Sequence, residues 1–424
     1  MFRDHPKGLK VLFFTEIWER FGFYILMAIF VLYMDHEFKW SDAFKGKVYG
    51  LFLFIAYFFP LVGGWLSDKV IGAHNTIRVG AVLMGVGYAL LAGSAANRVA
   101  LFFIGLVMIA VGTGIFKVNM SVSVGNLYEP QDGRKDSGFN IYYMGVNIGA
   151  MLAPLAATYF HNAFDSYRIS FAAAAVGMIL SMIIFESGKS SLVVRKYGTA
   201  YGGTMGQNDP PTNREEDRQR IATLGLLFLI VIFFWITFYQ NGFALTLFAQ
   251  RSTILSDLLK PETYQFFNPF FILLLTPVVV NIFNRMRNNG KEPTNPTKIF
   301  IGMFISGFSM LIMAFASLAG GDADANIMSP WWLIASYFVV TLAEILVSPM
   351  GQSFVTKVAP RRIQGMMMGL WFVATAVGSS GSGFFGRFYS TMPHHQYFFA
   401  LTGVLLFLSL LVFFSLKRLN RFST

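Results

Sequence analysis

Residues 13–34 read "FFTEIWERFGFYILMAIFVLYM". The stretch is long and apolar enough to cross a bilayer as a helix, yet Glu16, Glu19 and Arg20 lie inside it. An ionised side chain at the bilayer centre costs at least ~2.5 kcal/mol, so such residues face a protein interior or a wet cavity. On a helix Glu16 and Arg20 are one turn apart and Glu19 falls on the same arc, with Tyr24 a further turn along. One helix therefore presents two acids, a base and a phenol to a single enclosed space.

The rest of the chain has the same character. Its 424 residues are 55% hydrophobic and only 13% charged, where a soluble protein carries nearer a quarter charged residues, and its mean hydropathy is +0.55. This is the composition of an all-α polytopic membrane protein, since runs of roughly 20 apolar residues exceed what barrel strands need. There is no Cys, which removes disulfides, thiol chemistry and thiolate metal sites. No cleavable leader is expected, because the first apolar run is long and is followed by another span. Twelve spans are expected, near 9–34, 46–67, 77–96, 99–124, 138–160, 168–186, 221–248, 264–284, 297–319, 330–356, 363–388 and 396–416.

The net charge of +11 reflects topology and does not point to nucleic acid. With a cytoplasmic N-terminus most Lys and Arg fall on the cytoplasmic side, as the positive-inside rule requires. Lys189, Arg195, Lys196, Arg214, Arg218 and Arg220 cluster in the central loop, with Lys357, Arg361 and Arg362 later and Lys417, Arg418 and Arg421 in the tail. The polar run "GGTMGQNDPPTNREEDRQR" within 187–220 reads as a flexible linker. It divides the chain into an N-terminal six-helix bundle over 1–190, a linker over 191–220 and a C-terminal six-helix bundle over 221–424. That is the arrangement of the major facilitator transporters. Between spans two and three, "GGWLSDKVIG" matches the G-x-x-x-D loop of that superfamily, where Asp68 is expected to cap or pair with a neighbouring helix end. Most of the 40 glycines fall within spans, where small residues allow close helix packing.

Two further ionisable residues lie at depth. Lys117 sits in "GTGIFKVNMSVSVG", on a helix face polar with Asn119, Ser121 and Ser123. Glu344 sits in "TLAEILVSPMGQ", just before a helix kink at Pro349. Inert ion pairs locking helices together would use the same residue types. A wet cavity holding paired carboxylates beside cations would bind and release protons, and having both signs it would also clasp a zwitterion.

Several of these stretches resemble one family in chain order. "EIWERFGFY" resembles the E-x-x-E-R-F-x-Y-Y motif of the proton-dependent oligopeptide transporters within the major facilitator superfamily. "FKVNMS" resembles that family's F-K-P-N-x-S, and "FNIYYMGVNIGA" its F-Y-x-x-I-N-x-G. "NPFF" at 268–271, "AEILVSPMG" and "MGLWFVATAVG" at 368–378 are similar to segments of its C-terminal half. The resemblance implies a proton-coupled symporter importing di- or tripeptides by alternating access, with no cofactor beyond the coupling proton. It implies that Glu16, Glu19, Arg20 and Lys117 couple the proton. Arg20 and Lys117 would also meet the substrate carboxylate, and Glu344 its amino terminus, helped by Asn147 and Asn268. Tyr24, Tyr57, Trp371 and Phe372 would line side-chain pockets. Small peptides and the lipid bilayer are the partners implied. The expected protein is a monomer in the cell inner (plasma) membrane, with both termini cytoplasmic.

The chain departs from the family at Met27 and Tyr239, where relatives carry an arginine and an acid; losing both strands neither partner. Alternatives are a divergent carrier of another anion or zwitterion, nitrate-like or amino-acid-like, a receptor without transport, and an intramembrane enzyme. The enzyme reading lacks support: His5, His36, His74, His394 and His395 fall in loops, His161 at a span end, and neither HExxH nor GxSxG occurs.

Overall fold

A backbone surrounded by lipid must satisfy its own hydrogen bonds, and this chain does so with helices. The computed structural model describes residues 2–129, 132, 134–192, 214–360 and 363–421. In chain order the helices are α1 (Lys7–Phe38), α2 (Asp42–Phe58), α3 (Pro60–Leu66), α4 (Ala73–Gly93), α5 (Val99–Asn126), α6 (Lys135–Phe164) and α7 (Tyr167–Gly188). Then come α8 (Arg214–Phe238), α9 (Ala244–Arg251), α10 (Phe267–Asn288), α11 (Asn295–Ala319), α12 (Pro330–Val358), α13 (Gln364–Gly386) and α14 (His394–Asn420). No strand occurs among the described residues; one isolated bridge joins Thr253 and Met328. Among the described residues eleven helical stretches are long and apolar enough to cross a membrane, and α13 occupies the expected eleventh span.

Two expected spans are discontinuous. The second breaks at Phe59, where Pro60 opens α3 at the position a helix start tolerates it best. The seventh breaks at the 3₁₀ turn Tyr239–Gly242 before resuming as α9. The seventh also starts earlier than 221. Glu215, Glu216 and Asp217 occupy the first turn of α8, where acids favour the helix dipole, and Arg220 reaches back to Glu216 at 2.7 Å. Arg214, Arg218 and Arg220 are therefore helical and not part of a loop. Arg195, Lys196 and the stretch 193–213 of the expected linker lie outside the described residues, as do Arg361 and Arg362. Asp68 caps nothing: it is exposed in the π-helical turn Ser67–Ile71 and has no partner among the described residues. The glycines of that loop do allow close approach, because a Cβ on Gly63 would lie 2.6 Å from Ile115 Cα.

The described residues form two compact units. The first takes Met1–Ser41, Leu51–Thr199 and Ser256–Phe270; the second takes Asp42–Gly50, Ala200–Leu255 and Phe271–Thr424. In the first, α4 and α5 touch almost backbone to backbone: a Cβ on Gly87 would lie 2.8 Å from the Gly105 carbonyl, and one on Gly80 2.9 Å from that of Gly112. The segment Ser256–Phe270 is docked on the last turns of α6. Thr158 and Thr263 share a hydroxyl hydrogen bond of 2.7 Å, His161 Nδ1 lies 2.7 Å from Glu262 Oε1, and Asn162 donates to the Asp257 carbonyl at 2.7 Å.

In the second unit, Asp42–Gly50 packs on α13, where a Cβ on Gly50 would fall 2.6 Å from the Ser380 carbonyl. Asp42 accepts a two-pronged pair of bonds from Arg251 at 2.8 and 2.9 Å, meets Lys45 Nζ at 2.6 Å and also takes the Ser390 hydroxyl. The Tyr49 hydroxyl donates to the Tyr239 carbonyl at 3.1 Å, in the break of the seventh span.

Candidate functional site

The "EIWER" stretch forms a helix inside α1, and its side chains meet as the one-turn spacing requires. Arg20 Nε donates to Glu16 Oε1 at 2.8 Å and lies 2.6 Å from Glu19 Oε2. The two contacts are unequal. A guanidinium Nε carries one hydrogen, and it is aimed at Glu16, so Glu19 receives charge without an aligned hydrogen bond. Glu16, Glu19 and Arg20 are 1%, 0% and 3% exposed, so water does not supply what is missing. Both oxygens of Glu19, Glu16 Oε2 and Arg20 Nη2 have no hydrogen-bond partner among the described residues. A buried polar group left in this state costs about 1–3 kcal/mol, more when charged.

Packing holds these groups in place. The pair Gly145 and Gly149 on α6 lies against α1: a Cβ on Gly149 would sit 2.9 Å from Arg20 Cβ and 3.1 Å from Phe21 N. It would approach the Ile17 carbonyl more closely still. This small-xxx-small stripe brings α6 onto the face of α1 that carries the charges. On α4, the Tyr88 ring lies against Gly22, 3.1 Å from where its Cβ would be.

Lys117 on α5 interacts electrostatically with Arg20, Glu16 and Glu19, yet makes no ion pair within 4.0 Å among the described residues. Its ammonium lies 5.4 Å from the centroid of the Tyr57 ring, at cation–π range. Asn119, two residues on, is spent structurally: its amide donates to the Ile115 carbonyl at 2.7 Å and the Gly63 carbonyl at 3.2 Å. Asn147 is buried on α6, with its amide donating to the Tyr143 carbonyl at 2.9 Å. Tyr24 is half-buried one turn beyond Arg20 and within its field. Asn268, at the start of α10, belongs to the same unit as the charged cluster.

The second unit carries Glu344, Trp371, Phe372 and Tyr239. Glu344 is half-buried on α12, five residues before Pro349. Trp371 on α13 is 1% exposed, with its indole packed on Gly351, where no other side chain would leave room. Phe372 is half-buried beside it in sequence. Met27, in the first unit, and Tyr239, in the second, are both buried where charges were absent from the sequence.

Two groups escaped sequence reasoning. Tyr88 and Tyr142 are buried, the Tyr88 hydroxyl lacks a partner among the described residues, and both feel Glu16 or Glu19 and Arg20 electrostatically. Tyr142 lay within the quoted "FNIYYMGVNIGA", but nothing in sequence separates a phenol beside a charge from a core tyrosine. The second group is the His161–Glu262 pair. Among the described residues no three His, Asp or Glu side chains come together as metal ligands. Two carboxylates share one guanidinium here, with Lys117 in their electrostatic field.

A family model described as "PTR2: POT family" matches residues 74–201 and 204–398. The chain is 30% identical over 418 residues to "Dipeptide and tripeptide permease A" of Citrobacter koseri, covering 88% of this chain and 82% of that one. It is 30% identical over 477 residues to "Uncharacterized transporter YclF" of Bacillus subtilis, covering 96% and 94%. A crystal structure of a peptide transporter POT in complex with sulfate superposes with a TM-score of 0.90 at 29% identity, covering 100% of this chain and 97% of that one.

Proposed function

The chain belongs to the POT family of the major facilitator fold, and from that premise we propose that it is a proton-coupled symporter importing di- and tripeptides by alternating access. It is a transporter and not an enzyme. The observation that supports the coupling is the α1 cluster, where Glu19 is 0% exposed and has no hydrogen bond on either oxygen among the described residues. Neutralising such a group with a proton removes an expensive buried charge, and at the same time releases Arg20 from one of its two acids.

In this reading a proton arrives on Glu19 or Glu16 from outside. Arg20, with its open Nη2, and Lys117 then hold the peptide carboxylate. Glu344 holds the peptide ammonium, assisted by Asn147 and Asn268, while Tyr24, Tyr57, Trp371 and Phe372 contact the side chains. Proton loss on the cytoplasmic side restores the Glu19–Arg20 contact and expels the peptide. The protein works as a monomer in the inner (plasma) membrane, with both termini cytoplasmic, and needs no cofactor beyond the proton. A two-bundle organisation, with the second bundle opening at Arg214, completes this picture. The name of the Citrobacter relative, a dipeptide and tripeptide permease, supports the substrate class.

Uptake of labelled dialanine into proteoliposomes, with and without an inward proton gradient, tests the proposal. Accumulation above the external concentration only with the gradient is expected. Gradient-independent equilibration would remove the coupling, and no uptake of any di- or tripeptide would remove the substrate class.

A further inference from the structure

Within the second unit, the ends of α10 and α12 and the start of α11 enclose a pocket of about 470 Å³. Among the residues lining it Arg287, Lys298 and Lys357 are cations and Glu292 is the one acid, which leaves a net charge of +2. These charges are not all spread on a solvated face. Lys298 is only 4% exposed, with Nζ 2.6 Å from Glu292 Oε1 and 4.2 Å from the centroid of the Phe283 ring. Arg287 binds the same carboxylate through Nε at 2.6 Å and Nη2 at 3.0 Å. One acid therefore serves two bases. Lys357, in the last turn of α12, has no ion pair among the described residues.

The start of α11 strengthens the positive field. Thr294 caps this helix of 25 residues, no acid occupies its first turn, and Lys298 lies one turn in, where the helix dipole disfavours a cation. A buried ammonium in that place calls for more negative charge than one shared carboxylate provides. Donors also remain there: Arg287 Nη1, the Lys298 hydrogens not given to Glu292, the Lys357 ammonium and the Ser353 hydroxyl hydrogen. The Ser353 oxygen is held by the Asn295 amide, which donates to it at 3.1 Å.

A phosphate group matches this set. Its oxygens accept several charge-assisted bonds at once, and its charge of about −1.5 to −2 at neutral pH balances the excess. The pocket stands where three spans end. In the proposed topology those ends are cytoplasmic, the side on which basic pockets between helices meet anionic headgroups. We infer that this pocket is a binding site for a phosphate group, carried by an anionic lipid headgroup or supplied as free phosphate. The inference does not depend on which solute is carried.

Thermal unfolding of the whole protein in nonionic detergent at constant ionic strength tests it. The probes are dioctanoyl phosphatidic acid, inorganic phosphate and dioctanoyl phosphatidylcholine, the last without net charge. A probe that binds only the folded protein raises Tm with its concentration, which yields an apparent Kd. A saturable rise with phosphatidic acid alone would assign the headgroup, and one with inorganic phosphate as well would assign the phosphate group itself. Lys357→Gln changes an exposed side chain, so it should leave the Tm of the unliganded protein unchanged while weakening binding about tenfold or more. Lys417→Gln, exposed on α14, should leave the Kd unchanged. The proposal is overturned by the absence of a saturable rise with phosphatidic acid and inorganic phosphate alike, by an equal rise with phosphatidylcholine, or by an unchanged Kd in Lys357→Gln.

Discussion

Replacing Gly149 with alanine adds one methyl group where α6 meets the charged turn of α1. That carbon would lie 2.9 Å from Arg20 Cβ and 3.1 Å from Phe21 N, and nearer still to the Ile17 carbonyl, whereas ordinary contact begins at 3.4 Å. Backbone atoms cannot turn aside as a flexible side chain can. The helices must therefore separate by at least about half an ångström, with overpacking of about 1–3 kcal/mol. The separation falls on Arg20, and misplacement on the scale of 1 Å can cost about a hundredfold in a positioned site. We expect Gly149→Ala to lower the Tm in detergent and to reduce gradient-driven dialanine uptake at least tenfold per folded molecule. Gly145→Ala meets mainly the Phe13 ring, at 2.9 Å, and should do less. Gly225→Ala on α8 has nothing within 4 Å and should leave Tm unchanged or raise it, by the alanine helix preference of about 1 kcal/mol. Wild-type Tm and uptake in Gly149→Ala would refute the claim that this close approach positions the cluster.

Glu16→Gln and Glu19→Gln each mimic a permanently protonated acid, so gradient-driven accumulation should disappear while dipeptide binding persists; full accumulation in the double variant would put coupling elsewhere. Glu344→Gln should abolish competition by free dipeptides, and N-acetylated dipeptides should compete poorly with wild type; equal competition by both forms would release Glu344 from holding the ammonium. Outside the spans, hydrogen bonds from Arg287, then Lys298, hold the Glu292 carboxyl down at about 2, from an ordinary 4.5. A depressed carboxyl stabilises above its ordinary range and loses that contribution as pH falls toward about 2. Glu292→Gln should therefore cost about 1 kcal/mol or less at neutral pH, Arg287 being largely exposed, and the Tm gap to wild type should narrow below about pH 4.5.

The parts of this molecule legible in sequence are those that local spacing controls. Glu16, Glu19 and Arg20 converge because they occupy one arc of one helix, and their contacts needed no knowledge of any other element. The helices themselves were legible from apolar runs, except where polar turns interrupt them. "FYQNG" carried the signal for the break at Tyr239–Gly242, but a hydropathy window averages four residues away. What depends on packing was hidden. Tyr88 sits beside the cluster only because Gly22 admits its ring. Lys117 stands at more than ion-pair distance from every acid among the described residues, which no periodicity could indicate. His161 pairs with Glu262, on a segment a hundred residues away in the chain, and no local pattern links the two.

That long-range pairing bears on how the protein is made. The first compact unit is not complete when its six spans have been synthesised, because Ser256–Phe270 belongs to it and emerges only after the central stretch and the seventh span. Until then Thr158 and His161 lie at the end of α6 without Thr263 and Glu262. In the same way, the second unit needs Asp42–Gly50, made long before it, to supply the acid that Arg251 binds. Each half of the chain thus holds back a piece the other requires. Fragments separated at 193–213 should mature only when expressed together in one membrane, and a chain arrested there should present an unfinished first bundle to quality control.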